Sequence, residues 1–172
     1  IHFWDLRARK NIQTIDLGEN YQMALEIRPA HDPTKSYGFC GVVADNTNLQ
    51  GAVFTWWRDE DGKWQAKKTI TIDPRPEDPK DLPELIKGLG AVPVFVTDID
   101  LSLDDKYLYV ACWGIGEMHQ YDVSDPFNPV LTGKVELGGM AKETKHPNGK
   151  DFVYGPQMVE VSRDGKRVYD IK

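Results

Sequence analysis

Ile99-Asp100-Leu101-Ser102-Leu103-Asp104-Asp105-Lys106-Tyr107-Leu108-Tyr109 returns sixty residues later as Val159-Glu160-Val161-Ser162-Arg163-Asp164-Gly165-Lys166-Arg167-Val168-Tyr169. Each copy alternates apolar and polar residues, breaks at an Asp-Asp or Asp-Gly turn and resumes the alternation, which is the pattern of a β-hairpin. A degenerate copy, Leu25-Glu26-Ile27-Arg28-Pro29-Ala30-His31-Asp32-Pro33, stands seventy-two residues before the middle one and is followed by a strand-like run over 37–43. The extra length predicts an insertion in the middle unit, and the proline-rich run over 73–83 is the place for it. Self-similarity on this scale means that one supersecondary unit is stacked on copies of itself.

A second hairpin type interleaves with the first. Phe3-Trp4-Asp5-Leu6 followed by 12–18 resembles Gln120-Tyr121-Asp122-Val123 followed by 131–138, and Val53-Phe54-Thr55-Trp56-Trp57-Arg58 with Trp64 to Ile72 supplies the unit between them. Two hairpins per unit make four strands per unit, the composition of a β-propeller blade. Period-two alternation runs through the whole chain, and only 81–89 predicts a short helical turn. The expectation is therefore an all-β protein, a β-propeller fragment of about three four-stranded antiparallel blades. Residues 1–18 would end one blade, 23–72 form a second, 73–93 an insertion loop, 94–138 a third blade, 139–156 a loop, and 157–172 the start of the next. A β-sandwich of about eight strands is the alternative, and it leaves the sixty-residue echo unexplained. The chain opens on Ile1 already alternating and stops in a strand-like run, so it reads as an excerpt of a longer β-rich protein.

Composition narrows the partners. The 172 residues are 40% hydrophobic and 28% charged, with 21 Lys and Arg against 27 Asp and Glu for a formal charge of −6. The basic residues are scattered and form no stripe to neutralise phosphates, which argues against nucleic acid. The longest apolar stretch, around 91–96, is broken by Pro93 and is far short of the roughly 20 residues a membrane span needs. Cys40 and Cys112 have neither C-x-x-C spacing nor a disulfide framework. Each lies in an apolar strand-like run and reads as a buried thiol acting as a small hydrophobe, which leaves the compartment, periplasm or cytoplasm, open.

The chain resembles the selenium-binding protein family, whose members include the bacterial methanethiol oxidases. The resemblance is carried by Leu25-Glu26-Ile27-Arg28 with His31-Asp32-Pro33, Thr97-Asp98-Ile99 with Leu101-Ser102-Leu103-Asp104-Asp105, Gln120-Tyr121-Asp122-Val123-Ser124-Asp125-Pro126 with Leu131-Thr132-Gly133 and Gly138-Gly139, and Gly155-Pro156-Gln157-Met158. It implies a seven-bladed propeller more than twice this length and, for the enzymatic members, copper-dependent oxidation of methanethiol by O2 to formaldehyde, hydrogen sulfide and hydrogen peroxide. A small thiol and O2 are then the partners, and a homo-oligomer is compatible with the reading. Other members are described as selenium carriers through a cysteine. The family's paired-histidine segment with its nearby cysteines and its Ala-His-Glu segment have no counterpart here, which places the main copper ligands and the selenium-associated cysteine outside this chain. Gly114-Ile115-Gly116 after Trp113, where eukaryotic members tend to carry a histidine, resembles the bacterial type. Val168-Tyr169-Asp170-Ile171-Lys172, at the end, and the Asp-Phe-Val-Tyr run before Gly155 depart from the family pattern.

Candidate site residues follow from blade geometry, because the first strand of each blade lines the central channel. Those positions are Glu26 and Arg28, Asp98 and Asp100, and Gln157 with Glu160, of which alternation lets only one face of each strand look inward. Their bland reading is charge pairing that holds the ring together. His31, close behind a first strand and flanked by Arg28 and Asp32, is the best metal-ligand candidate, since a neighbouring carboxylate can fix the tautomer of a copper-binding imidazole. The competing reading is a turn histidine at the Asp32-Pro33 bend. His2 and His119 occupy equivalent third-strand positions, and His146 lies in a polar loop. Of Trp56 and Trp57, alternation predicts that one fills the inter-blade core while the other faces outward.

Overall fold

The computed structural model describes residues 1–152 and 154–171, and it is built almost wholly from antiparallel strands. Strands β1 (His2–Asp5) and β2 (Lys10–Thr14) form a hairpin. Strands β3 (Ala24–Pro29), β4 (Tyr37–Val42), β5 (Gly51–Arg58) and β6 (Trp64–Ile72) form a four-stranded sheet in chain order. A connection follows with the paired short strands β7 (Arg75–Pro76) and β8 (Ala91–Val92). Strands β9 (Val96–Leu101), β10 (Tyr107–Cys112), β11 (Glu117–Asp122) and β12 (Val130–Glu136) repeat the four-stranded meander. After β13 (Thr144–Lys145) and β14 (Asp151–Phe152), the hairpin β15 (Met158–Val161) and β16 (Val168–Ile171) takes up the pattern of β9 and β10. Two four-stranded meanders stacked face to face, with first strands β3, β9 and β15 side by side, make the architecture a β-propeller.

The echo in the sequence is an echo in atoms. Ser102 Oγ donates to Asp104 Oδ1 at 2.7 Å and accepts the Tyr107 N–H at 2.9 Å. Ser162 Oγ donates to Asp164 Oδ1 at 2.6 Å and accepts the Arg167 N–H at 3.0 Å. Each turn is closed by a 2.8 Å backbone bond, Ser102 N–H to Tyr107 O and Ser162 N–H to Arg167 O. The turn needs one left-handed residue, which is Asp105 (φ 59°) in one copy and Gly165 (φ 69°) in the other.

The main core lies between the two complete blades. Phe39, Val53 and Ile70 of the first face Ile99, Leu101, Leu108 and Val110 of the second, all buried. Burying each such side chain contributes about 1.5–3 kcal/mol. The 73–93 connection is fastened to this core by Leu82 and Ile86. Its helical turn is a 3-10 segment over Glu84–Leu89, starting three residues later than alternation suggested. Pro83 holds an extended backbone (ψ 143°) and delays the turn.

Trp56 and Trp57 point to opposite faces, the first buried and the second partly exposed. Trp56 packs on Phe3 and Trp64 at ring separations of 5.8 and 5.6 Å. Trp57, partly exposed on the opposite face, has its ring near perpendicular to that of Phe127 of the next blade at 4.9 Å. The Asp125-Pro126-Phe127 bend brings that partner in, with Thr55 Oγ1 donating to Pro126 O at 2.7 Å. No helix among the described residues is long and apolar enough to cross a membrane.

Close backbone approach fixes the joint between units. A Cβ on Gly114 would stand 2.0 Å from Pro93 O, a contact only displaced backbone could relieve. Gly114→Ala is therefore expected to cost about 3 kcal/mol or more, whereas Gly133→Ala on β12, where a Cβ meets nothing within 4 Å, should be close to neutral. Urea denaturation of the two variants checks the contrast.

Candidate functional site

A first strand pairs with the second strand of its own blade along one edge only, so the N–H and C=O groups of its other edge need partners. Side chains of the strand itself and of the neighbouring blade supply them. Asp98 Oδ1 accepts the N–H of Ile99 on its own strand at 2.9 Å, while Oδ2 accepts the N–H of Val159 on β15 at 2.8 Å. Asp100 does the same, to Leu101 at 2.9 Å and Val161 at 2.7 Å. Each carboxylate thus bridges β9 to β15, which belong to separate sheets.

At the other junction the corresponding positions carry Glu26 and Arg28, and the link reverses polarity. Arg28 Nε donates to Ile99 O at 2.9 Å. Its guanidinium lies 3.0 Å from Glu26, 3.7 Å from Asp98 and 3.4 Å from Asp100. The structure therefore gathers Glu26, Arg28, Asp98 and Asp100 on one face around a single cation. Burial pushes the Asp98 carboxyl above the usual Asp range, against the opposing pull of the Val159 amide and Arg28. Gln157 stands apart from this group. It precedes β15, its N–H donates to Ile171 O at 2.8 Å, and its carbonyl accepts Thr97 Oγ1 at 2.8 Å. Glu160, the counterpart of Asp100, is exposed.

His31 lies at the far end of the channel strands, beside a residue that the pattern reading overlooked. Asp105 is buried, and its Oδ1 accepts the His31 N–H at 2.7 Å and sits 3.0 Å from His31 Nδ1. Its Oδ2 accepts the Asp32 N–H at 3.1 Å, and Lys35 Nζ is 3.7 Å away. Burial raises this carboxyl, but the two amides and the His31 ring outweigh it and hold it below the usual range. A signal for Asp105 was present: it is an Asp in the slot where the next copy has Gly165. Among the described residues, no group of three or more His, Cys, Asp or Glu side chains is arranged to hold a metal ion.

The remaining candidates are engaged locally. His119 is buried, with Nε2 2.7 Å from Glu117 Oε2 and Nδ1 3.3 Å from the Tyr121 hydroxyl. His2 is exposed and meets Thr14 Oγ1 at 2.9 Å. His146 Nδ1 accepts the Asn148 N–H at 3.1 Å and orders its own turn. Cys40 and Cys112 are free and buried. Burial pushes the Cys40 thiol up to about 11 and the Cys112 thiol higher still, so neither supplies a thiolate near neutral pH.

Blades joined through their inner strands by side-chain bridges define a β-propeller protein of the ring-stacked, four-strand-per-blade class. A family model described as 56kDa selenium binding protein matches residues 1–171, and the chain belongs to that selenium-binding protein family. The chain is 38% identical to a methanethiol oxidase of Xenopus tropicalis and 36% identical to selenium-binding protein 2 of Mus musculus, in each case over 98% of this chain and 37% of the relative. A solved structure from Sulfolobus tokodaii, titled a hypothetical selenium-binding protein, superimposes with a TM-score of 0.94 at 53% identity. That match covers 98% of this chain and 37% of the other. The chain thus spans little more than a third of the length of these relatives.

Asp105→Asn keeps a residue that tolerates the left-handed turn while removing the charge from its amide and imidazole bonds. It should cost about 2 kcal/mol at pH 7. Because the folded pKa is depressed, the carboxylate's contribution is full above the unfolded value of about 3.9 and fades as pH falls through the folded one. The gap between variant and wild type should therefore close on acidification, as urea titrations at neutral and acid pH will show.

Proposed function

We propose that this chain is part of a methanethiol oxidase. In the overall reaction methanethiol, O2 and water give formaldehyde, hydrogen sulfide and hydrogen peroxide, so that carbon loses two electrons and O2 gains them. The observation carrying the reading is the identity of 38% to a protein named methanethiol oxidase, spread over 98% of this chain. Copper is the cofactor in this proposal, and a soft metal favours the sulfur of a thiol.

The donor set of the described residues does not make a copper centre by itself. His31 has one carboxylate beside it and no second imidazole or thiolate, and both cysteines are buried with raised pKa. The proposal therefore puts the copper ligands elsewhere in the full-length protein and gives this chain the task of building channel wall. Asp98, Asp100 and Arg28 hold adjacent first strands at fixed spacing, and Glu26 and Arg28 present charge along the wall. A second reading, a non-catalytic selenium-binding or protein-interaction propeller, draws support from the 36% identity to a protein named selenium-binding protein 2.

Metal analysis and turnover of the full-length protein decide between the two. Stoichiometric copper with release of peroxide and sulfide from methanethiol is expected. A preparation that binds no copper and stays inactive when copper is supplied would falsify the oxidase reading in favour of the second.

A further inference from the structure

Equivalent turns of adjacent blades meet at the end of the channel where His31 lies, and one residue differs between the two meetings. At the first, Asp105 stands four residues past β9, and its two carboxylate oxygens accept the N–H groups of His31 and Asp32, the second and third residues past β3, at 2.7 and 3.1 Å. At the second, the residue four past β15 is Gly165, and the second and third past β9 are Leu103 and Asp104. Gly165 keeps the backbone of Asp105, with φ 69° against 59°. A Cβ on Gly165 would stand 3.8 Å from Leu103 Cδ1 and meet nothing closer, so a side chain here has room and projects beside the same neighbour. What the second meeting lacks is the carboxylate. Among the described residues, none accepts the N–H of Leu103 or of Asp104.

The space between the two turns is a groove of about 390 Å³ lined by Leu103, Asp104, Tyr107, Tyr109, Asp164 and Gly165, with Ser102 at its wall. It sets the two amides beside the exposed Leu103 side chain and two half-buried tyrosine rings. Both acids of the groove are matched to cations. Asp104 Oδ2 lies 3.4 Å from Lys106 Nζ, and Asp164 Oδ2 accepts from Arg167 Nη2 at 2.8 Å. Arg163 and Lys166, exposed on the same turn as Asp164, add two further positive charges.

We propose that this groove is a binding site for a small monocarboxylate. Its two oxygens accept the N–H groups of Leu103 and Asp104 as those of Asp105 accept His31 and Asp32, and its carbon tail lies on Leu103 and the tyrosine rings. Successive backbone N–H groups of a turn form an anion-binding concavity, and an ionised acceptor makes charge-assisted bonds to them. The neighbouring junction holds a carboxylate on the same pair of amides, tethered there as a side chain. The site stands apart from the Glu26, Arg28, Asp98 and Asp100 group, involves no bond making and does not depend on the oxidase reading.

The test uses the full-length protein and its Gly165→Asp variant, with acetate, butyrate and butylamine as probes at neutral pH and constant ionic strength. Acetate and butyrate should stabilise the wild type with millimolar half-saturation, in keeping with ligands this small, and butyrate should act at the lower concentration. At ten times half-saturation the melting temperature should rise by about 2 °C, while butylamine leaves it unchanged. Gly165→Asp brings its own carboxylate to the amides on a backbone that Asp105 already adopts. It should melt no lower than wild type without a probe and lose the response to both acids. Butyrate should also move the Leu103 and Asp104 amide resonances of the wild type, a reading that needs no variant. Resonances that stay put, or a Gly165→Asp variant that responds as wild type does, would overturn the site. A wild type indifferent to both acids together with a Gly165→Asp variant that melts lower would mean that another part of the chain already holds these amides, and would overturn it as well.

Discussion

A strand bonded along one edge leaves the N–H and C=O of every second residue without a strand partner, and here the first strand of the next blade lies beside that edge. Adjacent first strands do not pair directly, since each belongs to a separate sheet. Carboxylates solve the problem because they accept only, and have two oxygens to aim in different directions. Asp98 and Asp100 each put one oxygen on their own strand and one on β15. Charge-assisted bonds of this kind are stronger than neutral ones, which offsets the desolvation that raises Asp98. The blade cores, the Ser-Asp turns and the fastened connections all presuppose that the inner strands are spaced by these bridges.

Much of this was legible in the residues alone. The paired copies at Ile99 and Val159 contain the turn chemistry as well as the alternation, and the turns proved to be the same network of Ser, Asp and one left-handed residue. Alternation also put Glu26, Arg28, Asp98 and Asp100 on a common face. What it withheld was the identity of the partner: periodicity says which way a side chain points and nothing about what lies opposite. One of Trp56 and Trp57 was expected to face outward, and alternation could not show that Phe127, from a bend seventy residues away, meets the ring of Trp57. Gln157 was grouped with Glu160, though an odd spacing places the two on opposite faces, and Gln157 lies ahead of the strand. Asp105 was passed over because an Asp in a turn is usually a local cap, whereas here its carboxylate reaches the loop of the preceding blade.

The candidate chemistry was less legible than the fold, for a physical reason. Polar groups that line a channel and polar groups that clamp blades look alike in sequence, since both sit at alternate positions of an inner strand. Only geometry separates a carboxylate with both oxygens occupied by amides from one with oxygens to offer.

The reversal of polarity between the two junctions has a consequence for how the ring is assembled. Arg28 is a donor and must face a strand offering a carbonyl and acids, while Asp98 and Asp100 are acceptors and must face amides. Blades built on one repeat are otherwise interchangeable in shape. Exchanging their order would set acid against acid or take from the guanidinium the carboxylates of Asp98 and Asp100, so each of these two junctions favours its own neighbour and the chain's units carry an address as well as a shape.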